Sequence, residues 1–596
     1  MGSSPTAPIK ETRGFSSVGR ATVETNRNLF FKTKGKEIMF TTKQAQLIDV
    51  KPKARKGSNK RNAFLHGASK VSAETLSGNG ALKYSTTGSD FVDQFGNLGT
   101  YKAPRSFDLI SSDCAKLYAK DKELFVKFTI YMRMISRKTD IVSLGIKTLE
   151  AQSGAELRHE GIMRMVWLSQ KDPEAFWSNI GLFISAGSCK DIITMLRQDL
   201  VYHGWEGRKL DWDKFGALIV ELLSNDTTVN LMKKYLPQIR SNSSCTTVEK
   251  QAGNIIAKWI CNLVFGSKSG SKTYKQYRQL KNSGTAHEWQ KLISQQKFSE
   301  LDFKAIHGRA LNLLVRSKFL KNQNLSEAYS EWVNDKETVS VKYTGFVHEL
   351  LCELDSNRDP NFVTTVDKQF VEAVNKVKGE RENATGMIVV RDTSGSMGAI
   401  ATGCKFTCNS VAKALALYFS EFLSGEFADS WIEFNNTAKM HTWKGQTASE
   451  RWRNDRSGYV GGTNFQSVID LFTRLKAQGI DEADFPVGIV CISDGEFNPA
   501  QLGKTNVEVA RQKLRNAGFS NEYCDNFKIC LWNLYNSYYG QTSKQKFETF
   551  GDVKNVFYLS GYSASNVQFI LNNKVETAED LFNAAMDQEL LSLVKV

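Results

Sequence analysis

Oxygen-bearing side chains follow a short apolar run in the C-terminal part of the chain. Met387-Ile-Val-Val390 is typical of a buried strand, and Asp392, Ser394 and Ser396 come directly after it. Open α/β sheets bind ligands at the carboxyl ends of their strands. One carboxylate and two hydroxyls are hard oxygen donors of the kind that Mg²⁺ accepts. The pattern therefore predicts a site for Mg²⁺ or Mn²⁺ in this loop.

Two further loops offer oxygen donors that could complete this site. Tyr-Val-Gly-Gly-Thr-Asn at 459–464 places Thr463 just before a helical apolar pattern. The run 487–492 is typical of a second buried strand, and Asp494 follows it. Loops after neighbouring parallel strands meet at one edge of a sheet. We therefore expect all three loops to form one metal site, the alternative being Ser- and Gly-rich turns with an unrelated Thr and Asp.

This set of loops, in this order, resembles the metal-ion-dependent adhesion site of von Willebrand factor A (vWA) domains. The resemblance implies a doubly wound, Rossmann-like α/β domain, which we assign to residues 381–596. It also implies that Asp392, Ser394 and Ser396 are the metal ligands of the first loop, Thr463 of the second and Asp494 of the third. With only two charged ligands the ion stays electrophilic, which favours capture of an acidic group from a protein partner.

Length and composition limit the possible classes of protein. A chain of 596 residues should form more than one domain, and its net charge of +15 suits an acidic partner such as nucleic acid, although solubility alone could explain it. The 10 cysteines lie scattered among apolar residues with no Cys-x-x-Cys pair, which favours reduced thiols and a cytoplasmic or virion setting. No apolar run is long enough to span a bilayer.

The composition of residues 1–105 predicts a basic, largely extended N-terminal arm with local order such as a strand near 37–41. Its cations could contact phosphates or form a solvated linker. They are Lys51, Lys53, Arg55, Lys56, Lys60 and Arg61. The first six residues also fit the N-myristoylation pattern at Gly2, although so short a pattern often arises by chance.

Residues 106–380 show helical periodicity with little strand signal. Asp172 before Pro173 predicts one helix start, and Ser188 with Asp191 predicts a capping box at another. A run of short antiparallel helices predicts a HEAT-like domain in which each pair packs on the next. The junction at 380–386 is too short for a tether, so we expect the helical and α/β parts to pack together.

A helical-repeat region followed by a vWA domain resembles the TROVE-module proteins of the Ro autoantigen type, and more closely a less studied vWA-terminated relative. The resemblance lies in the segments 128–138, 187–196 and 289–309. It implies a HEAT-repeat ring closed by the vWA domain. It also implies a role as a ribonucleoprotein component that binds small or structured RNA.

The segment 267–281 interleaves cations with aromatic rings, which suits single-stranded RNA. The alternative is an ordinary exposed helix with packed tyrosines. The residues concerned are Lys268, Lys272, Tyr274, Lys275, Tyr277, Arg278 and Lys281.

These features together predict a non-enzymatic RNA-binding protein with a metal-dependent ligand site. The sequence has no Gly-rich phosphate loop with Lys, no nucleophile elbow and no two-metal carboxylate cluster. A metal-dependent hydrolase would therefore lack an evident general base. The main alternative is a protein-interaction or assembly protein, such as a virion component, that does not bind RNA. The sequence does not determine the oligomeric state.

Overall fold

The computed structural model describes most of the chain from residue 87 onwards and short segments before it. The described residues are 28–33, 36–41, 74–76, 79, 81–84, 87–102, 104–134, 137–139, 149–151, 155–266, 270–284, 287–306, 308–343, 345–378, 386–423, 427–502, 504–535, 554–571 and 576–596. The basic residues at 51–61, Lys268 and the predicted myristoylation site at Gly2 lie outside them.

The N-terminal segments contain short antiparallel pairs of strands. The predicted strand near 37–41 is confirmed, because β2 pairs with β1 in a register that places Asn28 opposite Thr41. The strands outside the C-terminal sheet are β1 (Asn28–Thr33), β2 (Lys36–Thr41), β3 (Glu74–Leu76), β4 (Leu82–Tyr84), β5 (Arg137–Thr139) and β6 (Leu149–Ala151).

A helix-rich region follows. Its α-helices are α1 (Asp90–Gly96), α2 (Phe107–Lys120), α3 (Lys122–Arg133), α4 (Arg158–Lys171), α5 (Pro173–Ala186), α6 (Lys190–His203), α7 (Trp212–Ser224), α8 (Val229–Tyr235), α9 (Val248–Phe265), α10 (Ser271–Asn282), α11 (Glu288–Ser294), α12 (Gly308–Arg316), α13 (Phe319–Asn322), α14 (Ser326–Asn334), α15 (Val347–Cys352) and α16 (Pro360–Lys378).

Local sequence signals explain several of these helix starts, and one prediction was wrong. Asp172 accepts a hydrogen bond from the Ala175 N–H at 3.1 Å, which confirms the predicted start of α5 at Pro173. The capping box predicted at Ser188 and Asp191 does not form, because α6 begins at Lys190 and the Asp191 carboxylate turns away to pair with Arg133. A buried guanidinium competes for that carboxylate more strongly than a backbone N–H does.

Residues 87–102 correct the prediction of an extended arm that reaches residue 105. They form α1 and the turn after it, with Phe91 and Phe95 buried. The rings of Phe91 and Phe95 lie 5.9 and 5.6 Å from that of Phe582, near the C terminus. Gly99 donates its N–H to the Ser560 hydroxyl at 2.8 Å. A helix of two turns depends on such distant partners for its stability, so local composition did not reveal it.

The C-terminal part is an α/β domain built on a mixed six-stranded sheet. The strand order is β12-β11-β10-β7-β8-β9, and only β9 runs antiparallel to its neighbour. The predicted antiparallel edge hairpin is thereby confirmed as β8 and β9. The strands are β7 (Met387–Asp392), β8 (Ser430–Phe434), β9 (Ala438–Thr442), β10 (Gly488–Ser493), β11 (Lys528–Asn533) and β12 (Val556–Ser560).

Helices cover both faces of this sheet. On β7, Met387 and Val389 share a core with α17, whereas Ile388 and Val390 share the opposite core with α19 and α20. The alternation follows from the two-residue repeat of a strand. The helices are α17 (Cys408–Ser420), α18 (Ala448–Asn454), α19 (Gln466–Ala477), α20 (Asn506–Asn516), α21 (Asn521–Asn526), α22 (Ala564–Ile570) and α23 (Ala578–Met586).

The helix-rich region and the α/β domain pack together, as the short junction predicts. One apolar core contains buried residues from both. Polar contacts add to it: the Ser449 N–H donates to Asp367 at 2.7 Å, and the Tyr418 hydroxyl donates to the Ala373 carbonyl at 3.1 Å. Among the described residues, no helix combines the length and apolar character needed to cross a membrane.

Candidate metal centre

The topology of the sheet brings the first and third predicted metal loops side by side. Strands β7 and β10 are parallel neighbours, with Val389 opposite Val490 in register. The chain leaves β7 toward β8 on one side and later returns to β10 on the other. Such a reversal opens a crevice at the carboxyl ends of the strands. Both loops that carry the predicted carboxylates therefore lie at this crevice.

The first loop starts inside the core and turns outward. Asp392 ends the fully buried strand β7 and is itself 0% exposed. Its Oδ1 accepts the Ser394 N–H at 2.8 Å, which closes the tight Asp-x-Ser turn. The hydroxyls of Ser394 and Ser396 lie 3.1 Å apart, with Ser394 buried and Ser396 exposed. The loop thus presents three oxygen-bearing groups from the interior to the surface.

The second loop is held against the first by backbone contacts. The Gly395 N–H donates to the Gly461 carbonyl at 2.9 Å, and the Asn436 side chain accepts the Gly462 N–H at 2.9 Å. Gly461 has φ +90°, and a Cβ there would lie 2.9 Å from Asn436 Nδ2, so glycine fits this close approach. These contacts place Thr463, 1% exposed, on the loop beside the first one.

The third loop completes the arrangement and adds a residue that the sequence analysis missed. Ser493, the last residue of β10, donates its hydroxyl to Asp392 Oδ2 at 2.5 Å. Asp494 follows, 3% exposed, and its Oδ1 accepts the Glu496 N–H at 3.2 Å. Serine at the end of a buried strand was the available signal, but its partner could be identified only from the strand pairing.

Burial and proximity disfavour the charged forms of the two carboxyl groups at this crevice. Burial raises the pKa of Asp392 to about 7, and the nearby carboxylate of Asp494 adds to the rise. Burial also raises the pKa of Asp494, against a lowering hydrogen bond from Ser396. Within the described part of the chain neither carboxylate forms an ion pair with a Lys or Arg. Two buried carboxylates without a cation are unfavourable, which a bound metal ion would relieve.

A second set of polar contacts, made by β8 and β9, holds the first loop in place. The Thr393 hydroxyl donates to Glu433 Oε1 at 3.1 Å, and its N–H donates to the Phe434 carbonyl at 2.9 Å. His441 Nε2 lies 2.7 Å from Glu433 Oε2. Glu433, Phe434 and His441 of β8 and β9 thus hold the turn between Asp392 and Ser394, and none of the three was predicted as part of the site.

The donor set fits a hard cation that keeps part of its water shell. The residues that would hold it are Asp392, Ser394, Ser396, Thr463 and Asp494. All offer oxygen, which suits Mg²⁺ or Mn²⁺. In the part of the chain that the structure describes, no group of three or more His, Cys, Asp or Glu side chains that could hold a metal ion occurs, either in these loops or elsewhere. An ion in these loops would rely on hydroxyls and water as well as carboxylates.

Of the described residues predicted to contact RNA, some are exposed, whereas others pack in the core or form hydrogen bonds within the protein. On α10, Lys272, Lys275 and Arg278 are exposed. Tyr277 is completely buried and donates its hydroxyl to the Pro237 carbonyl at 2.9 Å, so its ring packs in the core and is not open to a base. Lys281 donates to the Lys234 carbonyl at 3.1 Å. Tyr274 is half-buried against the core.

Comparison with known proteins assigns no activity to the chain. No curated protein matches it. One family model covers most of the α/β domain, including the three loops of the predicted metal site. Residues 386–593 are similar to that family, described as a domain of unknown function (DUF7788).

Proposed function

We propose that the α/β domain is a metal-dependent docking module of the vWA type, in which Mg²⁺ or Mn²⁺ at the three loops captures an acidic group of a protein partner. The observation that carries the proposal is that the buried carboxyl groups of Asp392 and Asp494 and the hydroxyls of Ser394 and Ser396 lie at one crevice of the sheet. Bound there, the ion would supply an electrophilic position with room for an oxygen ligand from outside.

The surface around the loops favours a protein partner over a small ligand. Ile400, Tyr459 and Val460 belong to the first two loops and are 53%, 49% and 69% exposed. Tyr459 packs against Gly398, and the Val460 N–H donates to the Thr393 carbonyl at 2.7 Å, so both side chains stand beside the metal ligands. Exposed apolar side chains grouped around a polar centre are typical of protein interfaces.

A binding role is favoured over catalysis by the chemistry of the nearby groups. Asp392 and Asp494 would both serve as metal ligands and would not be free to act as a base. Cys408, at the start of α17, is buried, and burial raises the pKa of its thiol far above neutrality. A thiol that stays protonated is a poor nucleophile.

Calorimetric titration of Mg²⁺ and Mn²⁺ tests the metal site directly. Wild type should bind one ion per chain, and Asp392→Ala should lose about 100-fold or more in affinity because a charged ligand is removed. Asp481→Ala, which removes an exposed carboxylate elsewhere in the domain, is the matched control and should bind like wild type. Equal affinities for Asp392→Ala and Asp481→Ala would contradict the proposal.

Binding of single-stranded RNA by the helix-rich region is the second candidate function, and it also accords with the TROVE-like order of the two parts. It is favoured by Lys272, Lys275 and Arg278, which recur every three residues and so share one exposed side of α10. Replacing all three by Ala should weaken RNA binding and flatten its dependence on salt. Unchanged binding would contradict this second function.

A further inference from the structure

One face of α6 gathers cations from two helices. Lys190, Thr194 and Arg197 are spaced by four and three residues, so their side chains share that face. Arg158, at the start of α4, reaches the same face and donates from Nη2 to the Thr194 hydroxyl at 3.0 Å. The Arg158 guanidinium therefore lies between Lys190 and Arg197 along the helix. We refer to Arg158, Lys190 and Arg197 as the α6 cationic face.

The carboxylate of Asp191, beneath this face, already forms ion pairs with two arginines. Asp191 is completely buried; its Oδ2 accepts Arg133 Nε at 2.6 Å, and its Oδ1 pairs with Arg158 Nε at 3.0 Å. Neither Lys190 nor Arg197 forms an ion pair within the described residues, although Glu249 of α9 acts on Arg197 from a distance. Arg197 Nε is buried without a hydrogen-bond partner. Positive charge on this face thus exceeds the negative charge available to it.

The electrostatics of the individual groups agree with this geometry. Burial lowers the pKa of Lys190, and the guanidiniums of Arg158 and Arg197 lower it further. Burial also lowers the pKa of Arg158, partly offset by Asp191. The cations therefore repel one another, and an anion placed among them would relieve that repulsion.

The segment 234–237 lies between the α6 cationic face and α10. A Cβ at Gly253 of α9 would lie 3.8 Å from Arg197 Nη2 and 4.0 Å from Pro237 Cβ, so Arg197 and Pro237 both border α9 at Gly253. The Pro237 carbonyl in turn accepts the Tyr277 hydroxyl of α10. The Lys234 carbonyl accepts Lys281, also of α10. The segment 234–237 thus contacts α10 and lies close to Arg197 of the α6 cationic face.

We propose that the α6 cationic face binds phosphate groups of a single-stranded nucleic acid, whose backbone continues across the segment 234–237 to α10. Two guanidiniums and an ammonium on one helix face match the oxygens of a phosphate. A line of cations on several helices suits a polyanion better than a single small anion. The site goes beyond the second candidate function, because its residues lie outside α10, and it does not depend on the loops of the predicted metal site.

Fluorescence anisotropy with the full chain and a labelled uridine dodecamer tests the proposal. Lys190→Gln/Arg197→Gln should bind about tenfold more weakly at about 100 mM NaCl, and the slope of log affinity against log salt should fall by about 1.4 for two lost phosphate contacts. Lys439→Gln/Lys444→Gln, which removes two exposed cations from the α/β domain, should bind like wild type. Arg158 is left intact because it also pairs with Asp191.

Three outcomes would overturn the proposal. The first is equal affinity of the two double variants for the dodecamer, with circular dichroism showing that both are folded. The second is equally tight binding of a glutamate dodecamer to wild type, which would indicate attraction to any polyanion. The third is an effect of Lys190→Gln/Arg197→Gln on binding of inorganic phosphate alone, with affinity for the dodecamer unchanged.

Discussion

The loops of the predicted metal site, here called the metal loops, place two carboxyl groups inside the protein, whereas the α6 cationic face places its cations nearer the surface. Asp392 and Asp494 are 0% and 3% exposed, whereas the Arg158 side chain is 35% exposed and Lys190 is more open still. A charge without a partner costs far more when it is buried. A ligand should therefore change the stability of the protein strongly at the metal loops and only weakly at the α6 cationic face.

Of the changes considered at the two regions, Asp191→Ala should have the largest effect on the stability of the protein. It is the one buried acid beneath the α6 cationic face in the described structure, and Asp191→Ala leaves Arg133, 5% exposed, without its carboxylate. We expect a loss of about 3–5 kcal/mol in the free energy of unfolding, measured by urea denaturation. Asp226→Ala, at an exposed turn, is the control and should change stability by less than about 0.5 kcal/mol. A loss below about 1 kcal/mol for Asp191→Ala would show that Arg133 finds water or another partner.

Addition of Mg²⁺ should have the next largest effect on the stability of the protein. Saturation of wild type at about 100 times the dissociation constant of Mg²⁺ should raise the free energy of unfolding by about 2.7 kcal/mol. Asp392→Ala should show no such rise, because the ion loses a charged ligand. Thermal melts with and without Mg²⁺ measure the stabilisation of wild type and of Asp392→Ala. A similar rise in the two proteins would place the stabilising ion elsewhere in the molecule.

Alanine substitutions at two glycines with nearly the same φ distinguish damage to the predicted metal site from backbone strain alone. Gly461 and Gly479 have φ of +90° and +89°, but only at Gly461 would a Cβ contact another residue, Asn436. Alanine at either position should cost about 1–2 kcal/mol of unfolding free energy. Only Gly461→Ala should also weaken Mg²⁺ binding in a calorimetric titration, because it displaces the loop that carries Thr463. Equal Mg²⁺ affinity in both variants would remove the second loop from the site.

Lys190 should give the smallest effect. Its side chain is only partly buried and its charge is repelled by neighbouring guanidiniums, so Lys190→Gln should change the free energy of unfolding by less than about 0.5 kcal/mol. Urea denaturation at low salt measures it. A loss above about 1 kcal/mol would mean that Lys190 has a structural role, and the contrast with the metal loops would weaken.

Local sequence patterns predicted the elements whose formation depends on residues close together in the sequence. The apolar run before Asp392 became the buried strand β7, the pair Asp172 and Pro173 became the start of α5, and the residues 430–443 became the edge hairpin. Each depends on strand burial, helix capping or hairpin pairing within a few residues. For the same reason the layout of a helix-rich region followed by an α/β sheet was predictable.

Contacts between distant parts of the chain were decided only by the tertiary structure. The sequence by itself determined which residue types each loop offers, including Asp392 and Asp494. It could not show that Ser493 donates to Asp392, that Tyr277 is buried, or that α1 packs on Phe582. Nor could it show that Asp191 pairs with Arg133 and leaves the cations of α6 without a carboxylate. The physical reason is that burial and charge pairing depend on which surfaces the folded chain brings together, and helix or strand periodicity carries no information about that choice.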